Sequence, residues 1–255
     1  MTMRLEGKSV IVTGAAHGIG RAYSERLASD GANVALLDID GTRNDEVAAG
    51  IVKAGGKAVA IRTDVRDFTQ FRSAADRAAK EFGGITGIVN NAGMLNVIPI
   101  TRSNFEDIPD AEWDESFRLN TKSAWYGCKA AIPHLRVAGG GSIVNIGSST
   151  IFRGVPTRAH YVAAKAALIG FNRTIARELG GDNVRVNLVC PGSTLSEEEP
   201  DAATIAMREA PVKTRCLQRV ELPSDLVGTI SFLQSDDSAF ITGQTFLVDG
   251  GSAFN

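Results

Sequence analysis

At 255 residues the chain is long enough to bury a large core in one α/β domain, and its 27 glycines point to tight turns or close approaches of backbone to a ligand. With 44% apolar residues, 22% charged residues and a net charge of −2, it has the balance of a soluble globular protein, with no field to hold nucleic acid or an anionic membrane. Its three scattered cysteines, the lack of a signal-peptide stretch and the lack of any run of about 18 apolar residues lead us to expect a reducing, cytoplasmic setting.

Taken in chain order, Ser9 to Val12 reads as a buried strand and Asn33 to Leu37 as a second. Between them, Ile19, Ala22, Tyr23, Leu27 and Ala28 recur at helical spacing. Further strands are predicted at Ala58–Ile61, Gly87–Val89, Ser142–Ile146, Val184–Val189 and Thr245–Val248. Helical patterns fill the gaps at about 43–54, 67–82, 111–137, 159–180 and 223–234. Short strands alternating with helices predict an α/β fold: a seven-stranded parallel sheet of the doubly wound, Rossmann type with helices on both faces. Ligands would then sit at the carboxyl ends of the strands. No linker, repeat or low-complexity tract divides the chain, so residues 1–255 are expected to form a single dinucleotide-binding and catalytic domain. Residues 194–218, which carry Glu197-Glu198-Glu199-Pro200, are longer than a plain connection and are expected to form a substrate loop or lid.

The first strand runs through Thr13-Gly14-Ala15-Ala16-His17-Gly18-Ile19-Gly20 into the first helix. Glycine there permits a tight turn and lets a pyrophosphate approach a helix N-terminus, which makes Gly14, His17, Gly18, Ile19 and Gly20 candidate cofactor residues. The spacing is not the Gly-x-Gly-x-x-Gly of most dinucleotide folds. Asp38, followed by Ile39, closes the second strand 18 residues beyond Gly20. A carboxylate there can accept both ribose hydroxyls of NAD and would repel the 2′-phosphate of NADP. Arg43 is the nearest cation beyond it, and NAD is the expected cofactor.

Tyr161 and Lys165 lie one turn apart on a predicted helix. An ammonium near a phenol lowers the phenol's pKa from about 10, which makes Tyr161 a candidate general acid/base. Ser148 follows a strand, so its hydroxyl stands at a carboxyl strand end. His17, His134 and His160 are scattered without a metal-binding spacing, and no metal is expected. His160 reads as a substrate-pocket or packing residue.

These motifs together resemble the short-chain dehydrogenase/reductase family along essentially the whole chain. The matching residues are Thr13-Gly14-x-x-x-Gly18-Ile19-Gly20, Asp64-Val65, Asn90-Asn91-Ala92-Gly93, Asn120, Ser148, Tyr161-x-x-x-Lys165 and Pro191-Gly192. The resemblance implies that Asp64 and Val65 contact the adenine and that Asn91, Ala92 and Gly93 line the pocket beside its ribose. It implies that Asn120 anchors a water in a proton relay to Lys165, that Ser148 orients the substrate oxygen and that Tyr161 exchanges its proton. Lys165 would also bind the nicotinamide ribose, with Pro191 and Gly192 near the nicotinamide ring. Where the family often has Pro-Gly-x-x-x-Thr, this chain has Ser196, and either Ser196 or Thr194 can supply the hydroxyl. A homotetramer is implied as well.

Thr150, Phe152, Arg153 and Arg158 are the candidate substrate residues, facing apolar residues of 194–218 such as Ile205, Met207 and Leu217. Apolar walls suit a hydrophobic or aryl secondary alcohol or its ketone, and the segment Phe240 to Thr245 and the pocket segments are similar to bacterial aryl-alcohol and pyridoxal-type dehydrogenases of that family, among its secondary-alcohol dehydrogenases. An arginine in the pocket would instead suit a carboxylate, phosphate or sulfonate, leaving a sugar or polyol dehydrogenase, acidic sugars included, as an alternative. Two other readings are an NADPH-dependent 3-oxoacyl-carrier-protein reductase, against which Asp38 argues, and a cofactor-sensing binding protein on a retired enzyme scaffold.

Overall fold

The computed structural model describes residues 4–93 and 101–255. Among them, β1 (Ser9–Thr13), β2 (Asn33–Asp38), β3 (Lys57–Arg62), β4 (Gly87–Asn90), β5 (Gly141–Ile146), β6 (Val184–Pro191) and β7 (Thr245–Val248) pair in one parallel sheet. Their order is β3-β2-β1-β4-β5-β6-β7. The helices are α1 (Gly18–Ser29), α2 (Gly41–Lys53), α3 (Phe68–Phe82), α4 (Asp110–Phe117), α5 (Ser123–Val137), α6 (Thr150–Arg153), α7 (Ala159–Leu179), α8 (Ala202–Glu209) and α9 (Pro223–Gln234). This is the doubly wound Rossmann-type arrangement that the alternating pattern predicts. None of these helices is long and apolar enough to cross a membrane.

Every residue of β1 is buried because its side chains alternate between two covered faces. Ile11 joins Leu37, Ile88 and Ile143 in a core closed by Phe71 of α3, Leu135 of α5 and Leu179 of α7. Val10 and Val12 point the other way, to Leu36, Val89 and Val144, under Leu27 of α1, Ile51 of α2 and Ile230 of α9. Local chemistry sets the helix ends. The Asp67 carboxylate accepts from the Thr69 and Gln70 amides at 2.8 and 3.2 Å, and Gly83 closes the same helix at φ +76°.

Two segments differ from their sequence patterns. The single helix predicted over 111–137 is interrupted by a π turn, Arg118–Lys122, which separates α4 from α5 and carries Asn120. Residues 194–218 are more regular than their polar composition implies, containing α8, capped by Asp201 on the Thr204 amide at 2.7 Å, and a 3₁₀ turn, Val212–Thr214.

A polar chain crosses the apolar interior between the sheet and α7. Asn90 donates to Asn145 Oδ1 at 2.8 Å, Asn145 to Asn172 Oδ1 at 2.9 Å, and Asn172 to the Val186 carbonyl at 3.3 Å. Its members must find partners, because buried amides are costly when unpaired. The chain leaves no spare room, since a Cβ on Gly127 of α5 would fall 1.9 Å from Asn90 Oδ1. Gly127→Ala is therefore expected to destabilise the protein by about 1–3 kcal/mol. A Cβ on Gly50 of α2 meets nothing within 4 Å. Gly50→Ala is expected to stabilise by about 0.5–1 kcal/mol, since glycine is a poor helix former. Opposite shifts of melting temperature in the two variants are the check; equal shifts would contradict this packing.

Candidate active site

β1 and β4 are neighbours, but the chain leaves their carboxyl ends on opposite faces of the sheet, so a crevice opens there. Side chains hold its rims together. Thr13 Oγ1 accepts from the amides of Asn91 and Ala92, both at 3.0 Å, while the Asn91 side-chain amide donates to the Thr13 carbonyl at 2.9 Å. Gly14 sits at φ +65°, a left-handed conformation that favours glycine. Gly20 is required for a different reason: a Cβ there would lie 1.9 Å from the Gly14 carbonyl oxygen.

The Asp38 carboxylate is fixed at the crevice mouth, accepting from the Ala16 and Asp40 amides, each at 3.0 Å. Its register partner on β3, Arg62, donates Nε to the Ile39 carbonyl at 3.2 Å, while the other basic side chains nearby face carboxylates. His17 contacts Asp40 at 3.0 Å. Arg43 binds Glu46 at 2.6 Å and both oxygens of Glu198 at 2.7 and 2.8 Å, and Arg21 binds Glu198 at 2.7 Å. Glu198 thus ties the segment after β6 to α1 and α2. Asp64 is held below the usual carboxylate range by Arg66, whose Nε and Nη2 donate at 2.9 and 2.8 Å. Arg66 also lines the crevice and was not identifiable in the sequence, where it is one surface-type residue beside Asp64-Val65.

All of the expected cofactor residues except Thr194 line this one crevice: Gly14, His17, Gly18, Ile19, Gly20, Asp38, Ile39, Asp64, Val65, Asn91, Ala92, Gly93, Tyr161, Lys165, Pro191, Gly192 and Ser196. Thr194 is turned away. Its hydroxyl donates to Glu221 Oε1 at 2.7 Å, and the same oxygen accepts from the Gly192 amide at 3.0 Å. Glu221, buried and pushed up in pKa by that burial, anchors the turn after β6, and a lone acid before Leu222-Pro223 gives no hint of this in the sequence. Ser196 lies instead over the glycine turn, where a Cβ on Gly18 would meet its carbonyl oxygen at 3.0 Å.

Asn120, Ser148, Tyr161 and Lys165 line the same crevice at its far end. Ser148, just past β5, accepts from the Thr150 hydroxyl at 2.9 Å. Lys165 donates to the Ile146 carbonyl at 2.8 Å, and burial pushes its pKa down to about 8. In the π turn, Asn120 donates to the Ser116 carbonyl at 3.0 Å, and its Oδ1 is buried with no partner among the described residues. A Cβ on Gly93 would lie 3.4 Å from that Oδ1 and 3.7 Å from Lys165 Nζ, so both atoms flank one small gap. An acceptor left open beside an ammonium is what a bridging water would use.

The Tyr161 phenol corrects one expectation. Lysine spacing alone predicts a lowered pKa, but burial pushes it above the ordinary value, against smaller downward effects from the Ser148 hydroxyl and the Arg158 guanidinium. The reason is the desolvation of the phenol itself, which disfavours its charged form. The candidate substrate residues do not line this crevice. Thr150 reaches it through Ser148, Phe152 packs towards Ala124, Leu168, Leu188 and Cys190, and Arg153 is exposed. Arg158 is half-buried. His160 points away, fully buried, with Nε2 3.0 Å from Glu112 Oε1 but not aligned as a hydrogen bond.

Known proteins resemble this chain in sequence and fold. The sequence profile of a family described as Enoyl-(Acyl carrier protein) reductase matches residues 14–253. A Rhizobium meliloti (strain 1021) protein named "Probable galactose dehydrogenase GalD" is 36% identical over 97% of this chain and 95% of its own. The 3-oxoacyl-[acyl-carrier-protein] reductase FabG of Thermotoga maritima is 34% identical over 98% of this chain and 99% of its own. A mutant of a Serratia marcescens short-chain dehydrogenase/reductase superposes with a TM-score of 0.89 at 32% identity, covering 98% of this chain and 100% of that one.

Lys165 carries a cost that can be measured. With its pKa at about 8 against an ordinary 10.5, the folded chain is penalised for holding the ammonium below pH 8, by roughly 3 kcal/mol before the bond to Ile146 offsets part of it. Between pH 8 and 10.5 the unfolded chain binds more protons than the folded one, so stability rises with pH through this group. Lys165→Met is expected to end turnover, to melt no lower than the parent at pH 7 and to lose that rise. Melting curves across the window check it; a much lower melting temperature at pH 7 would contradict it.

Proposed function

The chain belongs to the short-chain dehydrogenase/reductase family, and on that premise we propose that it is an NAD-dependent oxidoreductase interconverting a secondary alcohol and its ketone, with Tyr161 as general acid/base. The observation that carries this reading is the convergence of Asn120, Ser148, Tyr161 and Lys165 on the crevice that Asp38 and the Gly14–Gly20 turn bound at its other end. A bound nicotinamide dinucleotide supplies the hydride donor or acceptor. The chain's own residues bind, orient and move the proton. The glycine turn admits a pyrophosphate to the N-terminus of α1, and Asp38 accepts from the ribose hydroxyls. Ser148 holds the substrate oxygen. Tyr161 gives or takes its proton, and Asn120 Oδ1 anchors a water on the path to Lys165. A phenol kept protonated by burial suits ketone reduction near neutral pH, and alcohol oxidation gains as pH rises.

NAD is favoured over NADP because Asp38 itself stands where a 2′-phosphate would lie and Glu198 engages Arg43 and Arg21; Arg62, the β3 neighbour of Asp38, is the nearby cation without a carboxylate partner among the described residues. A 2′-phosphate would meet the Asp38 carboxylate and would have to displace Glu198 from Arg43 and Arg21. The same point weighs against an NADPH-dependent 3-oxoacyl-carrier-protein reductase. A cytoplasmic homotetramer completes the reading. Trp113 and Trp125 on α4 and α5 are 40% and 43% exposed, and Phe240 and Phe254 are more so. Subunit contacts would cover this apolar surface.

Tyr161→Phe is expected to lower kcat by about 10²–10⁴-fold while NADH titration shows nearly intact affinity. Normal turnover by that variant would remove the proton donor and with it the mechanism. For cofactor choice, Asp38→Ser is expected to cost about tenfold in kcat/KM with NAD. Adding Glu198→Gln, which releases Arg43 and Arg21, is expected to bring NADP into use. An unchanged NAD-to-NADP ratio in the double variant would show that selectivity lies elsewhere.

A further inference from the structure

Three arginines from three separate segments bear on the region of Tyr161. Arg158 stands at the N-terminus of α7, just before the turn that carries Tyr161. Arg102, on the segment before α4, places Nη2 2.9 Å from Met207 Sδ on α8. Arg208, the next residue of α8, pairs with Glu197, itself a wall of the cofactor crevice, and its Nε is buried with no partner among the described residues. Arg158 and Arg208 both act electrostatically on the Tyr161 phenol, and Arg102 and Arg208 act on Arg158.

Such a gathering is unfavourable unless something negative completes it. Half-buried Arg158 is pushed below the ordinary guanidinium range by burial first and then by Arg102 and Arg208. Several arginines elsewhere are matched, Arg43 holding Glu46 at 2.6 Å, Arg66 holding Asp64 at 2.8 Å and Arg219 holding Asp225 at 2.6 Å, while others, such as Arg62, Arg153 and Arg173, make no ion pair among the described residues. Here the single carboxylate Glu197 answers three guanidiniums. Arg102 and Arg158 make no ion pair among the described residues, and residues 1–3 and 94–100 contain no acidic side chain that could supply one. Glu112, which reaches the same segment, is committed to the amide and hydroxyl of Thr101 at 2.7 and 2.6 Å. Guanidiniums that outnumber their carboxylates are the chemistry that binds an oxyanion by paired N–H donors.

We propose that Arg102, Arg158 and Arg208 form a binding site for an oxyanionic group of the substrate, so that the alcohol or ketone handled by Tyr161 bears a carboxylate, sulfonate or phosphate at its other end. This names the substrate class of the reaction proposed above and rests on that reading. The anion takes no part in the hydride or proton transfer; it fixes which carbonyl reaches the phenol, and the three donor segments set its distance from the reacting carbon.

The test is a ladder of methyl ketones of increasing length, each ending in a carboxylate, a sulfonate, a phosphate or a methyl ester. Reduction by NADH and calorimetric binding to the enzyme–NADH complex are measured for every member. At the best length the charged ketones are expected to exceed the ester at least about tenfold in kcat/KM. Arg158→Gln should remove most of that ratio through KM, with partial recovery in Arg158→Lys. Esters that match the charged ketones at every length, or a ratio untouched in both Arg158→Gln and Arg102→Gln, would overturn the site. If no ketone is reduced but the charged ones bind and Arg158→Gln abolishes that binding, the site stands and the oxidoreductase reading falls. If esters are reduced while charged ketones neither bind nor react, the reading stands and the site falls.

Discussion

The adjacency of β1 and β4 fixes where the chemistry can be. Both strands point the same way, yet the chain goes on from β1 to α1 and from β4 towards α5, which pack on opposite faces of the sheet. No helix can cover the gap between their ends, so a crevice opens there as a consequence of connectivity. Thr13 and Asn91 stitch its rims by three hydrogen bonds, using a hydroxyl and an amide that face inwards from the two strand ends. The glycine turn can then follow a path in which Gly20 lies against the Gly14 carbonyl with no room for a side chain.

What the far end of the crevice does chemically depends on groups held in unfavourable states. Lys165 is buried with a carbonyl, not a carboxylate, as its hydrogen-bond partner, and Asn120 presents an unmet acceptor from a π turn. A regular helix through 118–122 would place Asn120 differently, and π turns are frequent at functional sites for that reason. Neither feature helps the chain fold. Both are sustained by the apolar packing of α5 and α7 against the sheet, where Leu135, Ala176 and Leu179 are buried. Stability supplied in the core is thus drawn on where the reacting groups sit.

Strand positions were legible because valine and isoleucine runs covered on both faces leave no alternation to misread, as in Val10-Ile11-Val12. The crevice residues were legible because their types are demanding: glycine at a turn, an acid at a strand end, a phenol and an ammonium one helical turn apart. The direction of the Tyr161 pKa was not, since spacing reveals the neighbour but not the burial that outweighs it. Arg118–Lys122 keeps helical periodicity, so nothing in its residues marks a wider turn. Thr194 and Ser196 both offered a hydroxyl, and only the tertiary contact with Glu221 separates them. Arg158 could be singled out in the sequence, but Arg102 and Arg208 lie about fifty residues to either side, and only the fold brings their charges to bear on it.

The segment from Ser196 to Glu209 connects the two ends electrostatically. Glu198 reaches back to Arg43 and Arg21 and cancels positive charge where the dinucleotide is proposed to present its ribose. Its neighbour Glu197 reaches the opposite way to Arg208 and leaves the arginine group beside Tyr161 with an excess of positive charge. Adjacent residues therefore face in opposite directions, one making the cofactor end less receptive to an added phosphate and the other leaving the substrate end short of negative charge. On the proposed reading both selections, of the dinucleotide and of the alcohol, are made by one stretch of chain. Its placement over the crevice is held by Glu221, which fixes the turn after β6. A change in that turn would be felt at both ends together, because the same short run of backbone positions Glu197 and Glu198.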